Sequence, residues 1–483
     1  MGQVITLPIA NGFYQSESLP ISAQECTNWY PNLVQGQGLS NETLFGTPGL
    51  NELANTGVIK QINRGSHVKN SIPYFVNGDT LYRLDRTITD GVETFTTAVL
   101  GVITGSGRVF MSDNGAQLII LAPSGDGFIY NEDAGTPFQT ITDLDFKASG
   151  NPLTVKFIDG YFVFTTDTKK VIASALNDGL SYNALDFASA ESDPDRITGQ
   201  VIYKNQQFVI GTETTEVFSN QGAATGYPLT NINDYVFDKG SNSPNSIIKT
   251  SGSFMMIGGG VNESPAIWQF AGNGFTKIST TAIDNLLQRI SDIELAEAFA
   301  FNYGQKGAFF TCFTFGSRTL CYDEASQRWH ERKSFINEYS ARYRVNSLVT
   351  AYGRVLVADS IDGRIGELDV DVYTEYGEEI RRVVASANFS DTLQSKRVSS
   401  IELTVESGVG NEARTDPQIS MDYSDDGGKT FAFERSRSMG KIGEYNRRAI
   451  WHKNGRFPRF RVIRFHMSDP VKPVIISLVV NLA

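Results

Sequence analysis

The chain of 483 residues is poor in the side chains that most often carry catalysis or bind metals. It has 3 Cys and 4 His, and no C-x-x-C or H-x-x-x-H spacing occurs, so a zinc site lacks ligands at useful positions. Neither a G-x-S-x-G elbow nor a phosphate-binding loop with its lysine is present. We therefore expect no catalytic residue, no cofactor and no metal. Carboxylates are abundant, which leaves a glycosidase pair open.

Long apolar runs and targeting signals are also missing. No run of about 18 apolar residues occurs, so we expect no membrane-spanning helix. The first residues, MGQVITLPIANGF, lack the basic and apolar regions of a secretory signal. Three cysteines make no disulfide framework, and a reducing compartment during folding is the default. These absences favour a protein made in the cytoplasm.

The net charge of −11 is unevenly distributed. From residue 381 to the end there are 17 Lys and Arg against 11 Asp and Glu, so the first 380 residues carry about −17. An acidic body of this kind argues against tight nucleic-acid binding by that part of the chain.

A repeated hairpin pattern is the strongest structural signal. An apolar strand, a turn and a second strand recur seven times, at intervals that average about 48 residues, which is typical of propeller blades. A further strand precedes and another follows each hairpin, which gives the four strands of a blade. The second strands end at Tyr82, Tyr130, Ile172, Phe218, Trp268, Tyr322 and Leu368.

The fold class predicted from this pattern is all-β. We expect a seven-bladed β-propeller over residues 55–380, preceded by an N-terminal arm over residues 1–54. Longer alternating strands over residues 381–483 predict a C-terminal β-sandwich-like domain. A helical insertion is expected at about 280–297, because Ile283, Leu286, Leu287 and Ile290 share one helical face.

Two local motifs have a structural interpretation. In the sixth hairpin, a two-residue turn at Gly316 and Ser317 places Cys312 opposite Cys321. A cross-strand disulfide is then open, but two buried free thiols are favoured, because buried Cys behaves as a small hydrophobe. The stretch SDDGGKTF from Ser424 fits the Asp-box turn of sialidase-type propellers, which is a turn device rather than a catalytic motif.

The C-terminal region contains the densest basic cluster. Between Tyr445 and Ser468 there is no acidic residue, and aromatic residues alternate with the basic ones, which are Arg447, Arg448, Lys453, Arg456, Arg459, Arg461 and Arg464. DNA, an acidic protein surface or plain solvent would each suit such a face. Opposite charge on the first 380 residues favours a protein contact. The candidate partner-interface residues are Trp29, Tyr30, Arg447, Arg448, Trp451, Phe460 and Arg461.

Several stretches, taken in order, resemble one protein family. They are NWYP and TPG near the N-terminus, LCYDEASQRWHER, IGELDVDVYTEYGEEI, YSDDGGKTF, GKIGEYNRRAIW and SDPVKPVII. Their order and spacing are similar to those of the tail-hub or nozzle proteins of short-tailed bacteriophages, also called packaged-DNA stabilisation proteins or podovirus tail accessory factors. The resemblance covers nearly the whole chain and is most specific in its last third.

This resemblance implies a structural virion protein rather than an enzyme. It implies a homo-oligomer, expected as a hexameric ring below the portal and its adaptor protein, with a tail needle or plug and a tailspike or tail fibre as neighbours. The ring would close the channel to retain packaged DNA and later form part of the genome-ejection conduit, with DNA passing without specific binding. Such a protein is assembled in the host cytoplasm and resides in the tail. The alternative is a propeller that binds glycans or acts as a glycosidase.

Overall fold

The N-terminal strands are distributed over sheets that later residues complete. The computed structural model describes residues 3–34, 36–57, 62–190, 195–222, 225–337, 339–390 and 393–483. Its first strands are β1 (Gln3–Leu7), β2 (Tyr14–Gln15), β3 (Ala23–Gln24), β4 (Cys26–Thr27), β5 (Trp29–Leu33), β6 (Glu42–Gly46) and β7 (Gly49–Asn55). Strands β2 and β3 pair with each other, and the other five belong to sheets containing residues beyond 300. Most strands of the predicted N-terminal arm, residues 1–54, thus pack into the later sheets, because strands this short are stable only within a larger sheet.

Six blades of the propeller each consist of four consecutive antiparallel strands. Their middle strands are buried on both faces, because each small sheet lies between two neighbours. In the second blade, for example, Ile120 packs towards the first blade and Ile119 towards the third. The first three blades comprise β8 (Asn63–Lys69), β9 (Ile72–Asn77), β10 (Thr80–Thr89), β11 (Val92–Val102); β12 (Phe110–Asp113), β13 (Leu118–Leu121), β14 (Gly127–Tyr130), β15 (Phe138–Thr140); and β16 (Pro152–Ile158), β17 (Tyr161–Thr166), β18 (Lys170–Ala175), β19 (Asp178–Ser189).

Helical segments occur between some of the blades. One 3-10 helix, Leu144–Lys147, precedes β16 of the third blade, and another, Pro244–Ser246, precedes β24 of the fifth. Two short helices, α1 (Thr281–Leu287) and α2 (Asp292–Ala296), connect the fifth and sixth blades, and Ile283 and Leu287 of α1 are buried. The strands of the fourth, fifth and sixth blades are β20 (Ile197–Tyr203), β21 (Gln206–Gly211), β22 (Thr215–Asn220), β23 (Leu229–Phe237); β24 (Ile248–Lys249), β25 (Phe254–Gly258), β26 (Ala266–Phe270), β27 (Phe275–Lys277); and β28 (Phe299–Gln305), β29 (Ala308–Phe315), β30 (Arg318–Asp323), β31 (Arg328–Ile336).

The last sheet of the propeller lacks the four consecutive strands that were predicted for each of seven blades. Strand β32 (Tyr339–Arg342) pairs antiparallel with the end of β31. Only three consecutive strands follow it: β33 (Val345–Ala351), β34 (Arg354–Asp359) and β35 (Arg364–Asp369). Their outer neighbour is β7, which pairs antiparallel with β35 from Gly49 to Asn55. The residues predicted to be that outer strand instead form a small hairpin, β36 (Thr374–Glu375) and β37 (Glu378–Glu379). The structure thus has six blades of four consecutive strands, not seven, and residues 49–55 belong to the propeller.

A two-layered β-sandwich follows the propeller. One layer contains β39 (Lys396–Val405), β42 (Ala449–His452), β43 (Arg456–Phe457) and β45 (Val474–Leu482), completed by β1, β5 and β6. The other contains β38 (Arg382–Ala385), β40 (Gln418–Ser424), β41 (Ala432–Ser438) and β44 (Val462–Met467). The core between the layers continues without interruption into the fifth and sixth blades.

The hairpin of the sixth blade has the register expected from its turn. Phe315 pairs with Arg318, Gly316 has φ 51°, and Cys312 lies opposite Cys321. The two sulfur atoms are joined in a disulfide, so the expectation of two free thiols is wrong in this structure. Directly opposite residues on one face are the closest side-chain neighbours of an antiparallel pair, which brings the two sulfurs together.

We predict that the chain purified without reductant carries one free thiol. Denaturation with iodoacetamide should alkylate only Cys26, which is buried and unpaired, and prior reduction should give three alkylations. Mass spectrometry measures both values. The variant Cys26→Ser is the control and should show none before reduction and two after it. Three alkylations of the unreduced wild-type chain would contradict the disulfide.

Asn28 ties the propeller to the sandwich. Its Nδ2 donates hydrogen bonds to the carbonyl oxygens of Lys333 and Arg381, at 2.9 and 2.8 Å, and its Oδ1 accepts one from the Lys333 N–H at 3.0 Å. Its backbone has φ 57°, a left-handed conformation that Asn tolerates better than most residues. Lys333 lies in β31 of the sixth blade, and Arg381 leads into β38 of the sandwich. A single side chain therefore bonds to both domains.

Replacing Asn28 by Gly should destabilise the chain by about 3 kcal/mol, because three backbone groups lose partners at a cost of about 1 kcal/mol each. Gly keeps the left-handed backbone, so the change reports the side-chain bonds. Urea unfolding followed by tryptophan fluorescence measures the free energy. Asn177→Gly is the matched control, since Asn177 is exposed and has φ 55°; a loss no larger than in this control would contradict the assigned role.

Candidate interaction surface

Three of the predicted interface aromatics lie in the protein core. Trp29 and Tyr30 are neighbours in β5 and point to opposite sides of the sheet, each into a buried cluster. Trp451 is fully buried, and its Nε1 donates a hydrogen bond to the Arg435 carbonyl oxygen at 2.7 Å. Their large apolar surfaces stabilise the fold and are not available to a partner. Phe460 is half-buried.

Arg461 is also a core residue. Its guanidinium Nε and Nη2 donate to the two carboxylate oxygens of Asp425, at 2.6 and 2.8 Å, and its charge lies 3.8 Å from the Tyr423 ring centre. The side chain is fully buried. A two-pronged bond of this kind fixes both position and orientation. Arg461 therefore holds the β40–β41 turn against the sandwich and is not part of an exposed basic face.

The turn that Arg461 supports is the predicted Asp box. Asp426 accepts bonds from the N–H groups of Lys429 and Thr430, at 2.9 and 3.0 Å, and from the hydroxyls of Ser424 and Thr430, both at 2.6 Å. These bonds hold the pKa of Asp426 well below its usual range, and the bond from Ser424 contributes most. Every bond closes the turn between β40 and β41, which agrees with a structural function of the motif.

The exposed candidate residues, Arg447 and Arg448, lie in a loop over residues 441–448, here called the 441–448 loop. All eight of its residues are exposed, and Ile442 and Tyr445 present 77% and 72% of their surfaces to solvent. Arg448 binds Glu402 through Nε and Nη2, at 2.7 and 2.6 Å, while no ion pair of Arg447 occurs in the described part of the chain. Apolar and cationic groups side by side on a loop suit a protein contact.

Ile442 and Tyr445 were not predicted from the sequence as surface residues. The available signal was the composition of GKIGEYNRR, in which two large side chains lie in a glycine-containing polar loop outside any alternating pattern. A side chain that fits neither a strand nor a helix period has no assigned place in the core, and it is then a candidate for a contact with another molecule.

The Trp-His pair of the sixth blade is structural. Trp329 and His330 lie in β31, and His330 is fully buried next to the rings of Tyr30 and Phe310. Burial, and then the charge of Arg332, lowers the pKa of His330 to about 3. A buried imidazole of this kind is a poor general base at neutral pH.

The residues that the structure describes include no group of three or more His, Cys, Asp or Glu side chains placed to hold a metal ion. None of the helices among those residues is long and apolar enough to cross a bilayer.

The architecture defines a class: a β-propeller joined through a shared core to a C-terminal β-sandwich. Two family profiles match the chain in the same order, one described as bacteriophage P22 Gp10, beta-propeller, over residues 5–373, and one as bacteriophage P22 Gp10, beta-sandwich, over residues 382–483. The chain belongs to the bacteriophage P22 Gp10 family.

Individual relatives are distant. The chain is 20% identical over 276 residues to the tail hub protein gp10 of Salmonella phage P22, a match that spans 56% of this chain and 57% of the relative. Among solved structures, it is 12% identical to the WD40 β-propeller domain of Doa1, covering 66% of this chain and 96% of that one, with a TM-score of 0.41. It is 10% identical to BamB from Moraxella catarrhalis, covering 70% and 95%, with a TM-score of 0.38.

We predict that Arg461→Met lowers the free energy of unfolding by about 3 to 5 kcal/mol, because it leaves the Asp425 carboxylate without its buried partner. The exposed Arg447 provides the control, and Arg447→Met should change stability by less than about 0.5 kcal/mol. Urea unfolding of both variants measures the difference. Equal and small losses of unfolding free energy in the two variants would contradict the structural role assigned to Arg461.

Proposed function

We propose that this chain is a structural protein of a phage tail, a tail hub that lies among other tail proteins in the virion. The observation that carries the proposal is the match of both domains, in order, to the two parts of one phage protein family. The distant relative is itself named a tail hub protein. The shared core between propeller and sandwich supports a rigid building block. A glycan-binding propeller or a glycosidase, the alternative, gains no support from these matches.

The finer assembly is part of the same proposal. The hub is a homo-oligomer, a hexameric ring below the adaptor, that holds packaged DNA in the head and contacts a needle or plug and a tailspike or fibre. A charge of about −17 on the first 380 residues supports a conduit that does not grip DNA, since cationic groups that neutralise phosphates would add affinity.

The 441–448 loop is the proposed contact with a neighbouring tail protein. Ile442 and Tyr445 supply apolar surface, and Arg447 supplies a positive charge that is complementary to an acidic partner surface, beside the Arg448–Glu402 pair. Apolar anchors contribute most of the binding energy in such contacts, while charges increase the association rate and fix the orientation. Trp29, Tyr30, Trp451 and Arg461 are buried and are therefore not part of the proposed contact, and Phe460 is half-buried.

We predict that the double variant Arg447→Glu and Arg448→Glu stays folded but enters particles at least about tenfold less than wild type, because the contact charge is reversed. The loss of the exposed Glu402 pair alone should cost at most about 1 kcal/mol of stability. Quantitative gel analysis of purified particles, from infections in which the variant is the only source of the protein, measures incorporation.

The double variant Arg456→Glu and Arg459→Glu is the matched control. Both residues are exposed on the same domain, and the charge change is identical. The control should be incorporated normally. Normal incorporation of the Arg447 and Arg448 variant would refute the loop contact, and equal loss in both would show a general charge effect. Absence of the wild-type protein from purified tails would refute the tail-hub proposal itself.

A further inference from the structure

A cavity of about 940 Å³ opens at the centre of the propeller. Its wall comes from the starts of the innermost strands around the ring, including Arg64 of the first blade, Thr198 of the fourth and Phe299 of the sixth. The cavity therefore lies on the propeller axis, at the end where the innermost strands begin. Its size is that of pockets that take small organic ligands.

Arg64 contributes an unneutralised positive charge to this cavity. It is 5% exposed, and its Nε and Nη1 donate to the backbone carbonyl oxygens of Gly107, Gly78 and Ile103, at 2.7, 3.0 and 2.8 Å. Its Nη2 has no partner. Carbonyl oxygens orient a guanidinium but do not cancel its charge, and a buried donor without an acceptor is costly. The free Nη2 is thus a binding group without its ligand.

Arg108 and Arg342 bring two more positive charges to the same wall. The Nη2 atoms of both side chains donate to Asn346 Oδ1, each at 3.0 Å. Both guanidinium groups lie over the ring of Phe299, at 3.3 and 5.6 Å from its centre. Burial and the nearby Arg342 lower the pKa of Arg108 to about 9. Two cations sharing one neutral acceptor repel each other, and an anion between them would remove that repulsion.

Carboxylates in the wall do not neutralise these arginines. Among the described residues, Asp167, Glu294 and Glu297 line the cavity, but none forms an ion pair with Arg64, Arg108 or Arg342. Asp167 accepts bonds from Asn151, and the Glu294 carboxylate caps α2 through Ser291.

The two carboxylates that do act on the arginines lie outside the wall. Burial lowers the pKa of Arg64 and that of Arg342, and the nearby Asp79 and Asp359 oppose this effect from beyond ion-pair distance. Asp359 is itself paired with Arg344 at 2.6 Å. Counting Arg196, four arginines face three carboxylates in the wall, an excess of one positive charge.

The remaining wall is largely apolar. Phe299 forms the floor beneath the two guanidinium groups, and further apolar side chains surround it, namely Ile62, Phe110, Leu153, Ile197 and Phe315. Apolar walls with a few convergent polar groups are characteristic of small-ligand sites.

We propose that the axial cavity binds a small organic anion, with its carboxylate or phosphate group held by Arg64, Arg108 and Arg342 and its apolar part against Phe299. Guanidinium groups are suited to planar and tetrahedral oxyanions, which accept two bonds at once. The site is separate from the 441–448 loop, and the proposal does not depend on the tail-hub function.

Calorimetric titration of the full chain with four probes tests the proposal. Phenyl phosphate and benzoate carry an oxyanion and a ring, inorganic phosphate lacks the ring, and benzyl alcohol lacks the charge. We expect one or both aromatic anions to bind at millimolar or lower concentration and the other two probes to bind much more weakly. Whichever aromatic anion binds more tightly identifies the head group. No binding by either, or equal binding by benzyl alcohol or inorganic phosphate, would overturn the proposal.

Arginine variants test the location of the site. Arg108→Met and Arg342→Met should each weaken binding of the aromatic anion about tenfold or more, the effect of losing one charge-assisted hydrogen bond. Arg289→Met, an exposed position paired with Glu17, makes the same charge change elsewhere and should leave the affinity unchanged. Both cavity variants should fold, since each removes one of two repelling cations, and thermal unfolding without ligand verifies this. Unchanged affinity in the folded cavity variants would refute the assignment.

Discussion

The junction at β4 is the constraint on which the two-domain arrangement depends. This strand of two residues pairs in parallel with β31 of the sixth blade, through Thr27 and Glu331, and antiparallel with β38 of the sandwich. One hydrogen-bonded sheet therefore runs from the propeller into the C-terminal domain. Because ladder bonds fix both distance and direction between strands, the domains cannot rotate against each other without breaking the sheet. Asn28, next in the chain, adds side-chain bonds across the same boundary.

Buried charges lie around the same junction and make its geometry specific. Arg332 is fully buried, donates to the Tyr303 hydroxyl at 3.1 Å and to the Pro48 carbonyl oxygen at 3.2 Å, and lies over the Tyr343 ring. Burial, with the nearby Arg332, lowers the pKa of Arg382 to about 9. Charges removed from water are costly unless their partners are in place. An alternative docking of the domains would take the Pro48 carbonyl oxygen away from Arg332, which disfavours it.

The parts of the fold that could be predicted from the sequence are those set by neighbours in the chain. Blade hairpins, the register of Cys312 and Cys321, and the helical segment near Ile283 all follow from alternation, turn residues and helical spacing within a few positions. The outer strand of the last meander could not be predicted this way, because β7 pairs with β35 more than 300 residues later. The same holds for Arg461, whose partly exposed partner Asp425 is 36 positions away and lies in a turn. A basic residue in a strand of mixed pattern has no local sign of burial.

The axial cavity shows why ring architecture hides such sites from sequence reading. Arg64, Arg108 and Arg342 lie in separate parts of the chain, and each is a single arginine near the start of an innermost strand. Propeller closure brings these starts to one point, so charges that are dilute in the sequence become concentrated in space. Their mutual repulsion opposes folding, and a chain selected for stability alone could replace Arg108 by an apolar residue over Phe299. Several arginines without an ion-pair partner in one mainly apolar cavity are therefore better explained by an anion that occupies it than by packing.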